Sequence, residues 1–299
     1  MELQGKTAIV TGASSGIGAA TVRKLRKAGV RVVGGARRVE RIEADIALPL
    51  DVTDEESCAA FVGRAATELG GIDILFNNAG LALGRYPFWE STPEDEATVL
   101  HTNVDGVLRM TRFCLPHIRD EGHIVFMGSV AGRQAYQNAA SYVAAKFGLR
   151  GFVYALREDL LGRRPIRITT VDAGLVETEF SLVRLRGDAV AAKAVYAGVD
   201  AITPDEIADC VLFALTRPLH VNVDEIVIKA LAQSSGARVV RREARGLMWV
   251  RSTSGWGSAR GASRPDRSAP RPPALAPTAP TTLLDAYPPR THSQPTSGL

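Results

Sequence analysis

The sequence predicts an α/β fold, a single domain doubly wound around a parallel seven-stranded sheet over residues 1–242, followed by a tail over 243–299. Three observations carry this. Short apolar runs rich in β-branched residues alternate with helical stretches along the domain, as parallel βαβ units require. A glycine-rich turn, Thr11-Gly12-Ala13-Ser14-Ser15-Gly16-Ile17-Gly18, joins the first such run to the first helix. Nine of the sixteen prolines fall in the tail, whose Ser, Thr, Ala and Arg filling offers too little apolar surface to offset the entropy of ordering.

In chain order, residues 6–11 read as a strand, 16–28 as a helix, and 31–36 as a second strand of the Val-Val kind buried in parallel sheets. Only about ten residues separate it from the next strand at 47–50, close to the minimum crossover, so the intervening helix is predicted to be one or two turns. Thr53-Asp54-Glu55-Glu56 reads as a capping box opening a helix, and 72–76 is the next strand. Two helices are predicted at 94–101 and 104–118, then a strand at 123–127, a helix at 141–161 and a strand at 167–171. A helix capped by Thr203 with Glu206 and a strand at 225–228 complete the alternation.

With 299 residues and 45% hydrophobic content the chain can bury a large core. No apolar run approaches the roughly twenty residues of a membrane span, and the N-terminus lacks a charged-then-apolar leader. A cytoplasmic protein without a membrane partner is expected. Cys58, Cys114 and Cys210 are widely spaced, which indicates neither a disulfide framework nor a metal site. The net charge of +4 belongs to the C-terminal part: from Arg238 onward ten arginines face three acids, which leaves residues 1–237 near −3 and gives no reason to expect a nucleic-acid partner.

The glycines of the first turn let backbone amides approach a pyrophosphate at a helix N-terminus. At the end of the second strand, where an acid would meet a plain ribose, the chain has Arg37 and Arg38, which suit a 2′-phosphate or else are a solvated pair. Further on, Tyr142 and Lys146 are four residues apart, one turn along a helix face, where a cation lowers a phenol that otherwise titrates near pH ~10. Alone, that pair reads more readily as a buried Tyr and a solvated Lys.

As a set, the glycine turn, Asn77-Asn78-Ala79-Gly80, Asn103, Ser129 and Tyr142-Val143-Ala144-Ala145-Lys146 resemble the short-chain dehydrogenase/reductases, over about residues 5–242. The resemblance implies a Rossmann-type domain, NADP(H) as cofactor, a small-molecule substrate and a homotetramer built on the helices at 104–118 and 141–161. It implies that Tyr142 exchanges the hydroxyl proton, Ser129 donates to the substrate oxygen, Lys146 holds the nicotinamide ribose and lowers the phenol pKa, and Asn103 anchors a relay water. It places Thr11, Gly12, Ser14, Ser15, Gly16, Ile17 and Gly18 at the diphosphate, Asp51 and Val52 at the adenine, and Asn78, Ala79, Gly80, Gly174, Val176 and Thr178 along the nicotinamide half. The chain has Ala173-Gly174 where the family usually has Pro-Gly, a change expected to loosen that loop.

Residues 77–84, 174–184 and 219–223 are similar to the 3-hydroxy acid dehydrogenases, which act on serine and allo-threonine and reduce malonic semialdehyde with NADPH. Arg184 is the candidate grip for a substrate carboxylate, or else the partner of an acid on the lid or a neighbouring subunit. The rival functions are a broader ketone or aldehyde reductase and a non-catalytic, NADP-binding regulator.

Overall fold

Seven parallel strands set the architecture: β1 (Thr7–Thr11), β2 (Arg31–Ala36), β3 (Ile46–Pro49), β4 (Ile72–Asn77), β5 (Ile118–Met127), β6 (Arg167–Ala173) and β7 (Glu225–Ile228), in the order β3-β2-β1-β4-β5-β6-β7. This computed structural model describes residues 2–242; the tail expected over 243–299 lies outside the described residues. Helices cover both faces, which is why the central strands are apolar on both sides. On one face α2 (Glu55–Leu69), α4 (Gly106–Cys114) and α5 (Ala140–Leu160) bury Phe61, Met110, Leu149 and Val153 against Leu75 and Phe126. On the other, α1 (Gly16–Lys27) and α7 (Pro204–Leu215) bury Leu25, Ile207 and Val211 against Phe76 and Val125. Among the described residues no helix is long and apolar enough to cross a membrane.

Chain order reverses between β1 and β4, so their connections leave in opposite directions and open a crevice at the carboxyl ends of the strands. Thr11 closes the base of that crevice. Its Oγ1 accepts the amides of Asn78 at 2.9 Å and Ala79 at 3.0 Å, while Asn78 Nδ2 donates back to the Thr11 carbonyl at 2.9 Å.

Several elements differ from the sequence expectation, each for a local reason. The capping box at Thr53 does not form. Asp54 is the N-cap of α2, accepting Ser57 N at 2.9 Å, because Thr53 is taken by Asp51, whose Oδ1 receives the Thr53 amide at 2.9 Å and hydroxyl at 2.7 Å. The box at Thr203 does form, reciprocally with Glu206. No break separates the helices after β4: α3 (Pro93–Leu100) runs into α4 through a π turn, His101–Asp105. Then α4 stops at Cys114, short of 118, because Pro116 cannot continue it. The fifth strand starts at Ile118 rather than 123, pairing Ile118 with Ile72 across a register shift. The link from β2 to β3 holds a single 3₁₀ turn, Val39–Arg41.

Replacing Thr11 by the isosteric Val leaves the two half-buried amides of Asn78 and Ala79 without an acceptor. We expect a loss of about 2–4 kcal/mol of folding stability, read as a lower urea midpoint at unchanged slope.

Candidate active site

The carboxyl ends of the strands open into one cleft of about 810 Å³. Its walls bring together Gly12, Ser14, Ser15, Gly16, Ile17, Arg37, Arg38, Asp51, Val52, Asn78, Ala79, Gly80, Asn103, Ser129, Tyr142, Lys146, Gly174, Val176, Thr178 and Arg184. Of the expected residues, Thr11 and Gly18 stand behind the wall. A Cβ on Gly18 would lie 2.3 Å from the Gly12 carbonyl oxygen, so Gly18 packs the turn against itself.

The adenosine half is built by β1, β2 and the loop after β3. Ser15 caps α1 with extended backbone and no side-chain bond to the helix, leaving the first amides of α1 facing the cleft as an anion site. A Cβ on Gly12, whose φ is +66°, would meet Asn78 Nδ2 at 2.9 Å, so only glycine lets the backbone pass this close. Burial raises the Asp51 carboxyl, but the two Thr53 bonds and the Arg37 charge outweigh it and hold the group below its ordinary value. Arg38 donates through Nη2 to Ser15 Oγ at 3.0 Å and to Glu179 at 2.8 Å. The glycine cradle, the open helix end and the arginines beside it fit a dinucleotide carrying an extra phosphate.

The reactive half lies on α5 and the turn after β5. Ser129 caps the 3₁₀ turn Val130–Gly132, its Oγ accepting Ala131 N at 3.1 Å. Tyr142 and Lys146 share the buried face of α5, with Lys146 Nζ 5.8 Å from the centre of the phenol ring and donating to Met127 O at 2.9 Å. Their electrostatics depart from expectation. Burial pushes the Tyr142 phenol well above its ordinary value, and only a hydrogen bond with Ser129 and the Arg184 charge act against this. Burial also pushes the Lys146 ammonium down to about 8, opposed by Asp172. Both groups are driven toward their neutral forms because desolvation exceeds the support of the charges and hydrogen bonds around them.

Asn103 sits in the π turn, where the wider backbone register admits its side chain. Nδ2 donates to Val99 O at 2.8 Å and Leu81 O at 2.7 Å, which leaves Oδ1 buried without a partner among the described residues. A Cβ on Gly80 would lie 2.7 Å from that oxygen and 3.7 Å from Lys146 Nζ. The missing methyl therefore opens a polar spot bordered by an acceptor and an ammonium.

The loop after β6, which carries Ala173 in place of a proline, is braced by hydrogen bonds from outside it. Gly174 N donates to Ile228 O at 2.8 Å and Leu175 N to Gln233 Oε1 at 2.8 Å, so β7 and the segment beyond it hold what a proline would have stiffened. Arg184, at the end of α6 (Phe180–Arg184), has no acid partner among the described residues. Its guanidinium donates to Gly84 O at 3.0 Å, Asn138 O at 3.2 Å and the Tyr136 hydroxyl at 3.3 Å, 6.0 Å from the Tyr142 ring centre. Sequence reasoning missed Phe180, which tilts against the Tyr142 ring at 5.6 Å, and also Tyr136, Gln233 and Glu179. Only Glu179 and Phe180, directly after Thr178, carried a local signal.

A doubly wound parallel sheet with a glycine cradle at the switch point and a Ser-Tyr-Lys set over the same cleft defines a dinucleotide-dependent oxidoreductase. Residues 6–186 match the short chain dehydrogenase family, and the chain belongs to it. It is 39% identical over 257 residues to an NADP-dependent 3-hydroxy acid dehydrogenase of Schizosaccharomyces pombe, covering 81% of this chain and 99% of that protein. It is 43% identical over 241 residues to an uncharacterized oxidoreductase of Mycobacterium tuberculosis, covering 78% of this chain and 94% of that one. The closed form of a serine dehydrogenase complexed with NADP+ superposes with a TM-score of 0.74 at 36% identity, over 79% of this chain and all (100%) of the other.

Gln233→Leu should leave the Leu175 amide unpaired. We expect its hydrogen exchange, with that of Val176, to accelerate about tenfold, resolved by mass spectrometry.

Proposed function

We propose that this enzyme uses NADP(H) to interconvert a hydroxyl and a carbonyl on small 3-hydroxy acids such as serine, allo-threonine or 3-hydroxypropionate, the last yielding malonic semialdehyde. The placement of Arg184 carries the reading: a guanidinium bonded to neutral oxygens stands beside the phenol that exchanges the proton, so its charge is available to a carboxylate. The 3-hydroxy acid and serine dehydrogenases among its relatives support the same substrate class. Arg37 and Arg38 support the phosphorylated cofactor.

The nicotinamide, when bound, supplies or accepts the hydride. The chain supplies the rest. Ser129 donates to the substrate oxygen, and Tyr142, held neutral by burial, gives that oxygen a proton during reduction. Lys146 and Asn103 Oδ1 border the spot beside Gly80 through which a water returns the proton to the phenol. Arg184 orients the acid, and Phe180 closes one side of the Tyr142 ring against water. Exposed Phe147 and Tyr154 on α5 support assembly as a homotetramer through α4 and α5.

Three outcomes test this reading. Tyr142→Phe should abolish NADPH oxidation while NADPH binding, followed by fluorescence, stays within about twofold. Arg184→Ala should cost about 10- to 100-fold in kcat/KM on a 3-hydroxy acid, the worth of a charged hydrogen bond, and far less on a neutral alcohol; equal losses on both would remove the carboxylate role. Lys146 carries its charge only below about pH 8, so kcat/KM for NADPH should fall as pH rises through that value, and Lys146→Arg should move the limb upward. Stability answers in the opposite sense. The unfolded chain keeps this proton up to 10.5, so the contribution of Lys146 to folding improves between about 8 and 10.5.

A further inference from the structure

The helix α6 is five residues long and is held at both ends. At its head the Glu179 carboxylate receives Arg38 Nη2 at 2.8 Å and Arg41 Nη1 at 3.1 Å, joining residues 141 and 138 positions apart. The same Arg38 nitrogen reaches Ser15 Oγ, the residue that opens α1 at the phosphate turn. At its tail Arg184 bonds Gly84 in both directions, Nε to O at 3.0 Å and carbonyl to the Gly84 amide at 2.9 Å, and between the two ends Phe180 lies against Tyr142. One short helix therefore links the phosphate turn, the catalytic phenol and the substrate loop.

Resting on the reading of Arg37 and Arg38 as the 2′-phosphate site, we propose that Glu179 is a positioning residue coupling recognition of the cofactor's 2′-phosphate to closure of α6 over the substrate. Glu179 takes one nitrogen of the Arg38 fork and leaves the remaining donors of that guanidinium for the phosphate. A phosphate on Arg38 then fixes the guanidinium, which fixes Glu179, which seats α6 with Phe180 and Arg184. Arg38 and Glu179 are each about two-fifths exposed, with side-chain accessibilities of 43% and 42%. A pair this exposed adds little to folding, and that weakness suits a contact that must open each time the cofactor exchanges. The two arginines draw the Glu179 carboxyl below its ordinary value, Arg38 foremost, so the link stays charged through the neutral range.

The test compares 2′,5′-ADP with 5′-AMP, which differ only in the 2′-phosphate and lack the nicotinamide, on the full-length protein and its Glu179→Gln variant. Calorimetry gives binding, and hydrogen exchange by mass spectrometry follows the amides of 180–185. With 2′,5′-ADP saturating, exchange in wild type should slow about tenfold, within the usual range of site-to-site coupling, whereas 5′-AMP should leave it unchanged. In Glu179→Gln the slowing should vanish while 2′,5′-ADP still binds, and Arg41→Gln should weaken it in part. Faster exchange on binding would mean that phosphate and carboxylate compete for Arg38, and equal slowing in the variant would mean that Glu179 transmits nothing; either overturns the proposal. If calorimetry shows no preference for 2′,5′-ADP over 5′-AMP, the phosphate-site reading itself fails and takes the proposal with it.

Discussion

The hydrogen bonds between Thr11 and Asn78 hold together the two strands at which the sheet changes direction. A parallel pair whose connections diverge leaves backbone polar groups exposed at the crevice floor, and those groups need partners once the crevice is lined. One hydroxyl and one carboxamide meet that need. Because they do, Gly12 can turn sharply over the floor, α1 can begin with its amides facing the crevice, and Ala79 and Gly80 can run along the opposite wall.

Burial governs the chemistry more than charge pairing does. Tyr142 and Lys146 share a face of α5 deep enough that each is pushed toward neutrality, and Asp172, itself buried, with its carboxyl raised, is the acid that resists this for the lysine. Asp172 is in turn paired with Arg133, which also reaches Glu225. A neutral phenol suits proton donation to an alkoxide. A lysine poised near 8 can shift its proton share with modest changes around it, which a fully solvated ammonium cannot.

Most of the frame is legible in the sequence because parallel strands announce themselves as short apolar runs and because glycine turns, Tyr-x-x-x-Lys and the Thr203 box are local. The seven parallel strands, the helices on both faces and the gathering of Asn103, Ser129, Tyr142 and Lys146 into one cleft agree with that reading. The features that escape it depend on competition or on distance. Thr53 could cap α2 by its own chemistry, yet Asp51 offers its hydroxyl a better acceptor two residues away. Gln233 stiffens the loop at Leu175 from 58 residues downstream, and no periodicity marks it. Lowering of the phenol pKa by Lys146 is an expectation from spacing alone, and spacing says nothing about how dry the site is.

The π turn at His101–Asp105 amounts to one extra residue threaded into an otherwise continuous helix. Deleting a single residue there would restore uninterrupted α-helical bonding, with α3 and α4 keeping their facing, and would remove the widened register in which Asn103 sits. Asn103 would then leave its contacts with Leu81 and Val99. At this point the chain keeps an irregularity that helical regularity alone would remove, so a change that regularised the helix for stability would be felt at the cleft wall, where Asn103 Oδ1 borders Gly80.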